Sequence, residues 1–180
     1  MEYKIKVDNL NSEDNKYIIK KKHNKQWNGE KLQEGQIVNG IVREIKKYGA
    51  FVELEQGDTG LIYIEDLSVA RIKTPYERLS IGQKVNVVVK SIDRDLERIT
   101  LSYKELLGTW EENANKFCEG STVKGIVRET EKSNNGIFVE LAPNLVGLAE
   151  YKTGIEYGKT VDVYIKRIIP DKHKVKLIIV

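Results

Sequence analysis

Between residues 36 and 102, apolar and polar positions alternate with the period of two that marks half-buried strands. Residues 36–45 set Val38, Gly40 and Val42 against Asn39 and Arg43, and residues 46–54 set Ala50, Val52 and Leu54 against Phe51 and Glu53. A third run, 61–64, has Tyr63 opposite Ile62 and Ile64; residues 84–92 turn Val85, Val87 and Val89 inward; residues 98–102 close the series. Gln56-Gly57-Asp58-Thr59-Gly60 and Asp93-Arg94-Asp95-Leu96-Glu97 carry turn chemistry between these runs. The interval 68–80, with Arg71, Pro75 and Tyr76, lacks the alternation and reads as a helical or irregular crossing. Five strands with one crossing after the third predict a small Greek-key barrel.

Residues 105–117 contain good helix formers, no proline and Trp110, and predict a linker helix. Beyond it the pattern repeats. Gly40-Ile41-Val42-Arg43-Glu44 returns as Gly125-Ile126-Val127-Arg128-Glu129 at an offset of 125 − 40 = 85. Phe51-Val52-Glu53-Leu54 returns as Phe138-Val139-Glu140-Leu141, and Gly60-Leu61 as Gly147-Leu148, both at an offset of 87. Val85, Val87 and Val89 match Val161, Val163 and Ile165 at 76, so the second copy lacks 87 − 76 = 11 residues where the first has its crossing. A repeat this regular means duplicated domains. The N-terminal residues fit the same register: Tyr3-Ile5-Val7 and Tyr17-Ile18-Ile19 flank turn-forming residues 9–15 and predict a hairpin, with Trp27 standing where Trp110 stands later. The expected organisation is a partial repeat over 1–30, a full domain over 31–104, a linker helix over 105–119 and a second, degenerate domain over 120–180. A lone hairpin is marginal in water, so the first segment must dock on something.

Composition changes the picture little. The chain has 180 residues, 40% hydrophobic and 32% charged, a foldable balance without an apolar run long enough to cross a bilayer. One cysteine, Cys118, cannot form an internal disulfide, and two histidines make a poor metal cage, so a reducing cytoplasm and no metal or other cofactor are expected. A net charge of +3 permits a nucleic-acid partner without arguing for one.

The candidate chemistry lies in residues 46–54. Phe51 falls on the polar side of its strand, and Tyr48, Lys46 and Lys47 precede it. Exposed rings beside cations suit the stacking of unpaired bases while phosphates are held. The competing reading is that Tyr48 and Phe51 cover a sheet edge or fill a satellite cluster. Lys90, Arg94 and Arg98 would add a salt-dependent phosphate attraction.

The motifs from Gly35 onward resemble the S-one (S1) type RNA-binding domain, a family named for a bacterial small-subunit ribosomal protein. The resemblance rests on Gly40-Ile41-Val42, Tyr48-Gly49-Ala50-Phe51-Val52, Gly60-Leu61-Ile62-Tyr63-Ile64, Gly82, Ile92-Asp93 and Arg98-Ile99-Thr100-Leu101-Ser102, in that order. It implies an all-β chain of tandem five-stranded OB barrels that bind single-stranded RNA, with RNA contacts at Tyr48, Phe51, Tyr63, Asp93 and Arg98. The family usually has Phe at the place of Tyr48 and His at that of Tyr63; both substitutes keep a flat ring for stacking. In the second copy Phe138 is kept, Lys174 stands in for Arg98, and Asn135, Glu150 and Ile169 replace Tyr48, Tyr63 and Asp93. Its balance is 10 basic to 7 acidic residues, against 12 to 11 for residues 31–104. That copy is expected to attract phosphates weakly without a stacking platform.

The resulting expectation is a cytoplasmic, non-enzymatic protein that binds single-stranded RNA, mRNA or rRNA, in translation or RNA metabolism, with the ribosome as a further candidate partner and no membrane association. The rival readings are a protein-interaction or ribosome-docking module, and the accessory RNA-binding part of a longer enzyme chain. Asp93 and Asp95 read as a solvated loop pair, and Cys118 has no evident histidine partner, so a catalytic centre is not expected.

Overall fold

The computed structural model describes residues 27–131 and 136–180. The expected N-terminal hairpin and the ring-replacing Asn135 lie outside the described residues. Ten strands form two closed barrels in tandem. The first contains β1 (Ile37–Lys46), β2 (Gly49–Leu54), β3 (Thr59–Tyr63), β4 (Lys84–Asp93) and β5 (Arg98–Ser102), in the order β1-β2-β3-β5-β4. The second repeats that order with β6 (Thr122–Glu131), β7 (Gly136–Ala142), β8 (Leu145–Glu150), β9 (Thr160–Ile169) and β10 (Lys174–Ile179). Only β3 with β5, and β8 with β10, run parallel; every other pairing is antiparallel. This is the OB arrangement.

Closure depends on the first strand of each copy. The N-terminal half of β1 pairs with β4 through Ile37 to Ile41, and its C-terminal half pairs with β2 through Gly40 to Lys46. One strand can serve two neighbours because a bulge between Val42 and Glu44 bends it; β6 has the same bulge between Val127 and Glu129. Gly40 sits at the bend. A Cβ there would lie 2.5 Å from Val52 Cγ1, and at Gly125 it would lie 2.4 Å from Val139 Cγ1, so both copies need the same bare backbone at the same crossing.

The alternation of the sequence becomes two separate cores. Val42, Ala50, Val52, Ile62, Val87, Val89 and Leu101 are fully buried in the first, and Val127, Ile137, Val139, Leu145, Val163 and Ile165 in the second. Trp27 packs against the first core and Trp110 against the second, which supports their equivalence in the repeat. Two local expectations need correction. The third strand begins at Thr59, and Ile64 opens a 3-10 turn instead of extending it. The linker is not one helix over 105–119: a 3-10 turn, Lys104–Leu107, is separated from a short helix α1 (Trp110–Ala114). Gly108 breaks it at φ 89°, and Thr109 then opens α1 with a reciprocal cap, its hydroxyl accepting from Glu112 N–H while Glu112 accepts from Thr109 N–H.

Candidate nucleic-acid interface

The outer face of the first barrel is built by register. Phe51 on β2 lies opposite Leu61 on β3, and Leu61 lies opposite Thr100 on β5. Tyr63 lies opposite Gly49, directly after Tyr48. Gly49 is required at that point: a Cβ would come within 2.1 Å of the Ile62 carbonyl oxygen, so the β2–β3 hairpin can close between the two tyrosines only over a glycine. Tyr48 is 52% exposed, Tyr63 40% exposed, and Phe51 is half-buried. The Tyr48 and Phe51 rings meet edge to face, with centroids 6.3 Å apart. Neither Tyr48 nor Tyr63 is buried against α1 or the second barrel. The exposed Tyr48 ring lies against half-buried Phe51, and the register sets exposed Tyr63 at the same end of β2.

The sequence-predicted cations divide into two groups. Lys46 pairs with Glu44 at 2.5 Å, whose carboxylate holds the ammonium above its ordinary range. Lys90 binds both oxygens of buried Asp66 at 2.8 Å, again raising its pKa, and Lys104 lies 3.4 Å from the same carboxylate. Much of the charge of these two lysines is therefore committed within the fold. Lys47, Arg94 and Arg98 are exposed and form no ion pair among the described residues. Arg98 is paired across β4–β5 with Asp93, which accepts a hydrogen bond from Leu96 N–H and so shapes the turn that carries Arg94. Arg98 and Thr100 alternate outward along β5, placing the guanidinium at the far end of the face from Tyr63.

The second barrel keeps the scaffold and, of the ring set, Phe138. Lys174 lies opposite Ile169 as Arg98 lies opposite Asp93, and Glu150 lies opposite Gly136 as Tyr63 lies opposite Gly49. Phe138 is half-buried and Lys174 exposed. A feature not foreseen from sequence covers this barrel. In the first copy Arg43 Nε donates to Glu53 at 2.7 Å, with the two side chains 56% and 39% exposed. The equivalent pair, Arg128 to Glu140 at 2.5 Å, is only 6% and 5% exposed. The difference is the crossing of the first barrel, which lies over it. Arg78 donates to Glu140 and to Ser68, Arg128 donates to Glu77, and Tyr157 O–H reaches both Glu77 oxygens at 2.7 and 2.8 Å. Arg71 adds a pair to Glu129 at 2.5 Å, and Lys73 lies over the Tyr157 ring, 4.1 Å from its centre.

Burial works against the charges of Arg128 and Glu77, and their partners outweigh it. Arg128 is held above its ordinary range despite burial because Glu140 and Glu77 face it. Glu77 is held below its range despite burial because Tyr157, the N–H groups of Lys73 and Thr74, and Arg128 all favour the carboxylate. The Tyr157 hydroxyl is pushed up by burial and by Glu77. Asn144, at φ 61°, completes the contact by donating to the carbonyls of Lys104 at 2.6 Å and Gly108 at 2.9 Å. The sequence signal for this seam was the 11-residue difference between the copies: the extra residues of the first are the ones that cover the second.

The model of the S1 RNA binding domain family matches residues 31–104. Small ribosomal subunit protein bS1 of Staphylococcus aureus (strain COL) is 39% identical over 154 residues, covering 81% of this chain and 39% of that protein. The bS1 protein of Staphylococcus epidermidis (strain RP62A) is 34% identical over 194 residues, covering 97% of this chain and 49% of that protein. The chain thus spans between two-fifths and one-half of the length of these relatives. No helix among the described residues is long and apolar enough to cross a membrane.

Proposed function

Through residues 31–104 this chain belongs to the S1 RNA-binding domain family, and from that membership we propose that it binds single-stranded RNA on the Tyr48–Phe51–Tyr63 face. The observation that carries the reading is the joint accessibility of three rings that the register brings together beside Lys47. A flat exposed ring accepts the face of any unpaired base, worth about 1–3 kcal/mol per base, with little regard to sequence. Lys47, Arg94 and Arg98 supply phosphate contacts around it. The bS1 relatives are named as proteins of the small ribosomal subunit, which supports mRNA or rRNA as the RNA and the ribosome as a partner.

The second barrel fits a different role. Its Arg128–Glu140 face is closed by the first barrel, and only Phe138 survives of the ring set. That burial favours an interaction module, docked within the chain, over a second site for bases.

The test is a fluorescence titration of a labelled, unstructured oligoribonucleotide with the whole chain and with Phe51→Ala and Tyr48→Ala. Each substitution is expected to weaken binding by about 1–3 kcal/mol and to leave the fold intact, because both rings face outward. Unchanged affinity in both variants would remove the stacking face from the mechanism.

A further inference from the structure

A fourth exposed ring, on the crossing that packs against β1, was not among the expected contacts. Tyr76 is 58% exposed, more than Tyr48 or Tyr63. It stands on the crossing of the first barrel, in a 3-10 turn, Pro75–Glu77, whose neighbours are all anchored. Pro75 is buried, and Ile72 and Leu79 belong to the first core. Thr74 caps the turn by accepting from Tyr76 N–H, while Glu77 accepts from Thr74 N–H. The backbone after it runs beside β1, with Gly82 N–H donating to Val42 O at 2.7 Å and Val42 N–H to Gln83 O at 2.9 Å. The turn itself packs against β1, whose last residue, Lys46, leads into Tyr48. A ring 58% exposed contributes little to folding.

The residues that follow Tyr76 are held by the second barrel. Glu77 is bound by Arg128 and Tyr157, and Arg78 by Glu140. Each carboxylate and guanidinium in this cluster has partners on both sides of the seam, so the turn cannot rotate without breaking several buried charged bonds at once.

We propose that Tyr76 extends the stacking face past β1, and that the second barrel positions this ring by clamping Glu77 and Arg78. The second copy would then serve the RNA site without itself holding a base. A strand stacked on Phe51, Tyr48 and Tyr63 meets Tyr76 only if it is long enough to pass Lys46. The inference rests on the stacking face of the first barrel, and the experiment separates the failure of one from the failure of the other.

The whole chain is titrated with unstructured oligoribonucleotides of about four and about ten nucleotides, the lower and middle part of the site-size range of OB folds. Tyr76→Ala is expected to weaken binding of the longer RNA by about ten-fold, within the range of one lost stack. It should change the affinity for the shorter RNA less than about two-fold, and Tyr76→Phe should restore the longer RNA to its original affinity. Tyr157→Phe removes the hydroxyl from Glu77 and touches no RNA in this scheme. It should weaken the longer RNA by a few-fold when Tyr76 is present and have no effect in the Tyr76→Ala background, the coupling expected of a positioning residue. If Tyr76→Ala binds both RNAs as the original does while Phe51→Ala binds neither well, the extension is wrong and the platform stands. If Phe51→Ala is also without effect, the platform itself is wrong. Equal effects of Tyr157→Phe with and without Tyr76 would overturn the positioning role.

Discussion

The two copies offer a matched experiment on one ion pair. Arg43–Glu53 and Arg128–Glu140 occupy equivalent strand positions with the same Nε-to-carboxylate contact, and they differ in burial. Replacing Arg43 by Met removes a surface pair, for which the expected cost is about 0–1 kcal/mol. Replacing Arg128 by Met acts on a guanidinium 6% exposed that bridges Glu140 and Glu77. Orphaning a buried charge outright costs about 3–5 kcal/mol. Here Glu140 keeps Arg78, and Glu77 keeps Tyr157, so neither carboxylate is orphaned. The expected loss is therefore that of bonds to charged groups, about 2–3 kcal/mol in total. For a barrel of this size that lowers the melting temperature by roughly 10–20 °C. The chain has two tryptophans, one on each core. In a Trp27→Phe background, Trp110 fluorescence follows the second barrel alone through urea or thermal unfolding. A loss in Arg128→Met no larger than in Arg43→Met would refute the claim that the crossing of the first barrel buries this face.

Three further outcomes follow from the geometry. Unpaired RNA should bind more tightly than a duplex of the same sequence, because a ring needs an open base face; tighter binding of the duplex would exclude stacking. With Lys47, Arg94 and Arg98 as the cations of the candidate site that form no ion pair among the described residues, log K should fall against log salt with a slope of about −2, as for about three phosphates on a single strand; a slope near −4 or steeper would mean that Lys46 and Lys90 leave their carboxylates to join in. The seam should weaken in acid. Glu77 is held below its ordinary 4.5 in the folded chain, so its contribution is present above the usual glutamate range and is lost as pH falls through the lower folded value. Melting temperature between about pH 6 and 3 should drop more steeply in the original chain than in Glu77→Gln.

How far the sequence revealed this molecule depended on whether a local pattern had one structural meaning. Strand alternation did: Ala50, Val52 and Leu54 could bury together only if Phe51 and Glu53 faced out, and the register of β2 obeys that. The turns and the repeat offsets were equally local, so both barrels could be placed from residue order. The linker was harder, because good helix formers over 105–117 said nothing against a break, and one glycine at positive φ with a reciprocal cap behind it decided the matter. The cations were misleading for another reason. A lysine in sequence carries a full charge, whereas Lys90 in the barrel faces Asp66, a residue 24 positions away in the chain.

The seam shows where reading a chain by motif stops. Gly-Ile-Val-Arg-Glu and Phe-Val-Glu-Leu are identical in the two copies, and both copies make the same Arg-to-Glu bond. What separates an exposed pair from a buried one is a segment that belongs to the other domain. The second copy is 11 residues shorter at its crossing and carries no equivalents of Glu77 and Arg78 there. In the first copy these two residues cover Arg128 and Glu140. Among the described ring positions of the second barrel, Phe138 is half-buried like Phe51 and Glu150 is exposed, so what the neighbouring barrel covers is the Arg128–Glu140 pair and not those positions.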